Sequence, residues 1–155
     1  LSDVTIMGGE DFPDTHVAFK AGNTVIAFSD FMSDNDDRLL ELLDDLSERH
    51  LQTHLVMMAD PMVLRFDFKG NIEFKGTEGE LSLSGAASKV FEKTEAVRTQ
   101  YLTNLRARIS WLRGLCEERG FHFVLQPTDQ PLEHAIEALK EGQDNPMAHV
   151  PEVSP

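Results

Sequence analysis

The sequence predicts an α/β fold built on a parallel sheet with helices against its faces. Three apolar runs, each ending at an aspartate, are the basis for this. They are Thr24-Val25-Ile26-Ala27-Phe28-Ser29-Asp30, His54-Leu55-Val56-Met57-Met58-Ala59-Asp60 and Phe121-His122-Phe123-Val124-Leu125-Gln126-Pro127-Thr128-Asp129. Helical patterns lie between them. A β-α-β-α-β-α order is that of a parallel sheet with crossover helices.

The first run, Thr24 to Phe31, is rich in β-branched and aromatic residues. Gly22 and Asn23 precede it and a polar cluster follows it. Such a run suits a strand covered on both faces. The period alone would also fit a buried helix; the short length and the bounding turn residues favour the strand. Upstream, residues 1–20 form a poorly readable segment. Val4 to Met7 fits a short strand, His16 to Phe19 a short helix or extended piece, and Gly8 to Asp11 and Phe12 to Asp14 fit turns.

Ser33-Asp34-Asn35-Asp36-Asp37 reads as a helix start. Their side chains accept the unpaired N–H groups of a first turn, and acids there suit the helix dipole. Leu39, Leu42, Leu43 and Leu46 then make one apolar stripe, which Arg49 and His50 close. After the second run, Leu64, Phe66 and Phe68 alternate with Arg65 and Asp67. Lys69-Gly70-Asn71 turns the chain, and Ile72 and Phe74 alternate with Glu73 and Lys75. This predicts a β-hairpin inserted into the β-α-β plan, with Leu81 and Leu83 as a further short strand. The pattern from Ala86 to Arg119 predicts the longest helical stretch, with Val97, Tyr101, Leu105, Ile109, Leu112 and Cys116 inward, Trp111 and Leu115 beside them, Thr94 as a candidate break into two helices, and Gly120 as its stop. Pro131 opens a last helix whose stripe is Leu132, Ile136 and Leu139. Residues 21–142 make up the α/β unit, and 143–155, with three prolines and no apolar period, are expected as a mobile tail.

Bulk composition narrows the function classes. A formal charge of −13 argues against nucleic acid and anionic membrane surfaces as partners. It remains compatible with a basic protein or a divalent cation. No run approaches the roughly 20 apolar residues of a membrane span. The single Cys116 excludes an internal disulfide framework and fits a reducing, cytoplasmic setting. The chain opens on Leu1, not Met, which leads us to expect a piece of something longer.

In open parallel sheets, ligands bind beyond the C-terminal strand ends. Asp30, Asp60 and Asp129 are expected there. Carboxylate and hydroxyl oxygens suit Mg²⁺, so Ser29 and Asp30 are the candidate metal ligands. The alternative is that each Asp caps the turn or helix after it. His50 and His54 do not share a helical face, and a zinc site would need two more ligands. Cys116 sits on an apolar stripe and reads as a small hydrophobe. No dinucleotide, P-loop, zincin or nucleophile-elbow motif occurs. No catalytic residue and no resident cofactor are expected.

The order of these pieces resembles a known family. The carriers are Val25 to Phe31, Ala59-Asp60-Pro61, Phe74-Lys75-Gly76-Thr77-Glu78-Gly79-Glu80, Tyr101 in the long helix, and Thr128-Asp129-Gln130-Pro131-Leu132. Together they resemble the bacterial domain of unknown function family number 58, which is similar to von Willebrand factor A domains. The resemblance covers Gly22 to Lys140. It implies the C-terminal half of a doubly wound sheet, and places Asp30 where such domains hold the fourth-strand ligand of a metal-ion-dependent adhesion site. The D-x-S-x-S loop of that site does not occur in this chain, so Mg²⁺ binding is expected only in an intact parent. The resemblance further implies a non-enzymatic interaction module, an adaptor for a MoxR-type AAA+ ATPase. A half-sheet also leaves an edge open to self-association. The alternative from another class is a Mg²⁺-dependent phosphate-handling enzyme or receiver-like domain using the three strand-end aspartates.

Overall fold

The computed structural model describes residues 22–32, 35–66, 74–76, 79–81, 87–141 and 145–152. The first strand, β1 (Thr24–Ser29), is followed by helix α1 (Asp36–Glu48) and strand β2 (Gln52–Ala59). A short helix α2 (Pro61–Arg65) precedes two three-residue strands, β3 (Phe74–Gly76) and β4 (Gly79–Leu81). The long helix α3 (Ala87–Arg119), strand β5 (His122–Pro127) and helix α4 (Leu132–Glu141) complete the unit, and a 3-10 turn spans Pro146–His149. The chain is thus mixed α/β, as its apolar runs predict.

The central sheet has three parallel strands in the order β1-β2-β5. Its register aligns Ala27 with Leu55 and Leu55 with Phe123 on one face. One residue along, Phe28 aligns with Val56 and Val56 with Val124 on the other. The first face bears the main core. Leu39, Leu43 and Leu46 of α1 and Leu102, Leu105, Ile109 and Leu112 of α3 are buried there with Leu55, Met57, Phe123 and Leu125. The second face carries a smaller cluster, in which Ala135, Ala138 and Leu139 of α4 pack with Val56, Val124 and Met58.

Local chemistry accounts for the element ends. The Asn35 side chain accepts the Arg38 N–H at 3.2 Å and caps α1 within the predicted helix start. His50 takes a positive φ of 54°, and Leu51 N–H reaches back to the Leu46 carbonyl at 3.2 Å, closing that helix. Gly120 closes α3 in the same way at φ 68°, with Phe121 N–H on the Cys116 carbonyl. A left-handed residue is the usual terminator of such turns.

Four expectations need correction. Residues 61–66 do not form a hairpin strand. Asp60 caps α2 with Pro61 in its first turn, and Phe66 ends it in the left-handed region at φ 55°. Leu64 and Phe66 are both buried, but from a helical turn. The antiparallel pair that does form is β3 with β4, Phe74 opposite Leu81; the expected turn at 69–71 and Leu83 lie outside the described residues. Second, among the described residues β1 is not covered on both faces: it ends the described sheet, and Ile26 and Phe28 are 47% and 56% exposed. Third, the last helix turns Ala135 inward, leaving Leu132 and Ile136 exposed. Fourth, residues 145–152 are packed rather than an undocked tail. Val150 is buried in the main core, and Arg106 donates to the Val150 and Pro151 carbonyls at 2.9 and 3.1 Å. The elements expected at Val4 to Met7 and His16 to Phe19 lie outside the described residues.

Candidate functional site

The strand ends meet the loops at unequal heights. Ser29, the end of β1, pairs with Met57, whereas β2 continues to Ala59, which pairs with Pro127. At about 3.3 Å per residue, β1 stops roughly 6–7 Å short of β2. Asp30 therefore stands a step below Asp60. Asp129 belongs to the strand beyond, two strand spacings or roughly 10 Å from β1.

Each aspartate follows its strand into a turn that it helps to shape. The Asp30 carboxylate accepts the Met32 N–H at 3.1 Å, and the Ser29 hydroxyl accepts the Phe31 N–H at 3.1 Å. Phe31 takes the left-handed conformation at φ 51° and buries its ring in the core. Arg108 of α3 fixes this turn from below. Its Nε donates to the Phe31 carbonyl at 2.9 Å, its Nη1 bonds the Asp36 carboxylate, and its guanidinium lies 4.5 Å from the Trp111 ring centre. Asp60 caps α2 by accepting the Met62 N–H at 2.7 Å. Asp129 lies exposed in a turn held by the buried Gln126 amide, which donates to the carbonyls of Pro127 and Gln130 at 2.8 and 3.0 Å.

This geometry keeps Ser29 and Asp30 adjacent but does not bring the three aspartates together. Among the described residues, no group of three or more His, Cys, Asp and Glu side chains converges as a metal site. Ser29 and Asp30 offer two hard oxygen donors, the chemistry Mg²⁺ prefers. A Mg²⁺ site would need further ligands beyond these two.

The histidines separate as expected. His50 is exposed at the end of α1, while His54 is buried in β2. Register instead sets His54 beside His122 of β5, with ring centres 5.0 Å apart in an edge-to-face arrangement. Burial, and secondarily the His122 ring, push the His54 imidazole below its ordinary value. Burial also pushes the Cys116 thiol up to about 12, which suits a packing residue and not a nucleophile. No helix among the described residues is long and apolar enough to cross a membrane.

Sequence reading missed the open apolar surface. Ile26, Phe28, Met32, Met62, Leu132 and Ile136 are the large hydrophobic side chains left exposed among the described residues. Two lie on β1, two on α4, and Met32 and Met62 lie in the turns that follow β1 and β2 at the C-terminal strand ends. Nothing in their local pattern distinguishes them from core residues; the strand order and the place of α4 do.

No family model, curated protein or solved structure matches this chain.

Proposed function

We propose that this chain is a non-enzymatic protein-interaction module of von Willebrand factor A-like type. The observation that carries the reading is the state of β1. It ends the described sheet, and its Ile26 and Phe28 side chains are 47% and 56% exposed. Paired exposed hydrophobics beside a strand edge are a surface that a partner covers. Asp30 and Ser29 stand at the C-terminal end of that same strand, where a partner seated on β1 would meet them. In this reading they supply part of a Mg²⁺ site completed by ligands from the intact parent or the partner. By resemblance, the partner is a MoxR-type AAA+ ATPase.

The test is a calorimetric titration of the chain and of its intact parent against a purified MoxR-type ATPase, with and without Mg²⁺. Phe28→Asp is expected to weaken binding at least tenfold in both forms. Asp30→Ala is expected to weaken it in the parent only, and only with Mg²⁺ present, leaving the circular dichroism spectrum unchanged. Binding indifferent to Asp30→Ala would remove the metal role. Labelling of Asp30 by acetyl phosphate with Mg²⁺ would replace this reading with the phosphate-handling one.

A further inference from the structure

The four exposed side chains of β1 and α4 line one groove. Phe28 aligns with Val56, and Val56 belongs to the cluster under α4, so Ile26 and Phe28 lie on the face that α4 occupies. α4 rests over β2 and β5 through Ala135, Ala138 and Leu139. With right-handed crossovers from β1 to β2 to β5, a right-handed helix running back along that face turns its Leu132 and Ile136 side toward β1. The groove therefore has Ile26 and Phe28 as its floor and Leu132 and Ile136 as one wall.

Its width suits a helix. β1 lies about one and a half strand spacings, roughly 7 Å, to the side of the line over which α4 rests. Packed helices keep axes about 8–10 Å apart, so a second helix beside α4 would lie directly over β1. Apolar residues at i, i+3, i+4 and i+7 of such a helix would meet the floor and the wall together.

Charge selects the occupant. The exposed acids Asp30, Asp60 and Asp129 follow the strands at one end, and α4 carries Glu133, Glu137 and Glu141 against the single lysine Lys140. The whole chain carries −13. A second copy would bring the same charge to the same face, and so is disfavoured. A segment with an apolar stripe and basic flanks is attracted. We infer that the groove between β1 and α4 is a docking site for a basic amphipathic helix of a partner protein. This rests on the interaction-module reading and names the class of segment that module takes.

The probe is a Leu/Lys amphipathic peptide of about five turns, ~18 residues. It is compared with a Leu/Glu peptide of the same pattern and with a scrambled Leu/Lys peptide that has no stripe. Each is titrated into the isotopically labelled full chain and followed by amide NMR and calorimetry. The expected result is binding of the patterned Leu/Lys peptide alone, with shifts at Ile26, Phe28, Leu132 and Ile136. Phe28→Asp and Ile136→Asp should each weaken it at least tenfold; both positions are exposed, so the fold should persist by circular dichroism. Equal binding of the scrambled peptide, or shifts confined to other surfaces, would overturn the groove. So would a dimer of the wild-type chain that Phe28→Asp dissolves, since the face would then be a self-interface. Failure of the peptide with retained ATPase binding would overturn this inference and leave the interaction reading standing; loss of both would remove both.

Discussion

His54 is where the sheet buries a titratable ring without a hydrogen-bond partner for its Nδ1. It is 6% exposed, paired across the ladder with Ile26 on one side and His122 on the other. A protonated imidazole there would lose its hydration and face a second histidine, so burial first and His122 second hold its pKa below 6.5. The linkage then has a definite sign. Above 6.5 the ring is neutral in both the folded and unfolded chain, and its contribution to stability is fully present. As pH falls from 6.5 toward the lowered folded value, the unfolded chain takes up the proton first, and stability is lost. Carboxylates, with ordinary values near 4, add little over this window. Urea midpoints are therefore expected to fall between pH 7 and pH 5 in the wild type, and to fall less in His54→Leu. An identical slope in that variant would remove His54 as the source of the effect.

At the scale of elements, α3 holds the strand-end turn in place through one side chain. Arg108 bonds the Phe31 carbonyl and the Asp36 carboxylate and lies against Trp111. It thereby ties the β1–α1 connection to the long helix. Its side chain is 17% exposed and that of Asp36 48%, so solvent screens part of the ion pair. Arg108→Ala is expected to cost about 1–2 kcal/mol, less than a fully buried charged hydrogen bond. Arg108→Lys should recover less than half of this, because an ammonium lacks the planar fork. Chemical denaturation measures both, and full recovery by lysine would show that charge alone matters. This tie was not visible in the sequence, where nothing in the spacing of Arg108 links it to Phe31 or Asp36. The leucine stripe of α1, the β2 and β5 runs and the glycine stop at Gly120 were legible, because burial on a periodic element leaves a periodic trace. The α2 turn was legible only in part: Asp60 reads as a cap, which it is, but Leu64, Arg65 and Phe66 alternate as a strand would. The turn chemistry of Ser29 and Asp30 could be read from residue type. The groove could not, because an edge strand and a central one can carry the same apolar run.

The whole molecule is governed by its charge imbalance. It has 27 acids against 14 lysines and arginines, so at least 13 acids lack a lysine or arginine counterpart even if every cation is paired. Several cations are already engaged, Arg119 with Asp44 at 2.6 Å, Arg49 with Asp45 at 3.0 Å and Arg113 with Glu117 at 2.8 Å. Two opposing terms follow. Folding brings the excess acids closer together, which costs stability. The surface pairs return little, about 0–1 kcal/mol each. Salt weakens both, shortening the screening length from about 30 Å at 0.01 M to about 10 Å at 0.1 M. The excess repulsion acts over many residues at long range, whereas the pairs act at contact, so screening should relieve more repulsion than it removes attraction. The melting temperature is expected to rise by roughly 2–4 °C between 0.01 M and 0.1 M NaCl, equivalent to about 1 kcal/mol for a chain of this length. A flat or falling profile in differential scanning calorimetry would show that the arginine pairs outweigh the net charge. The same screening should weaken the basic helix in the groove, so stability and docking should respond to salt in opposite directions.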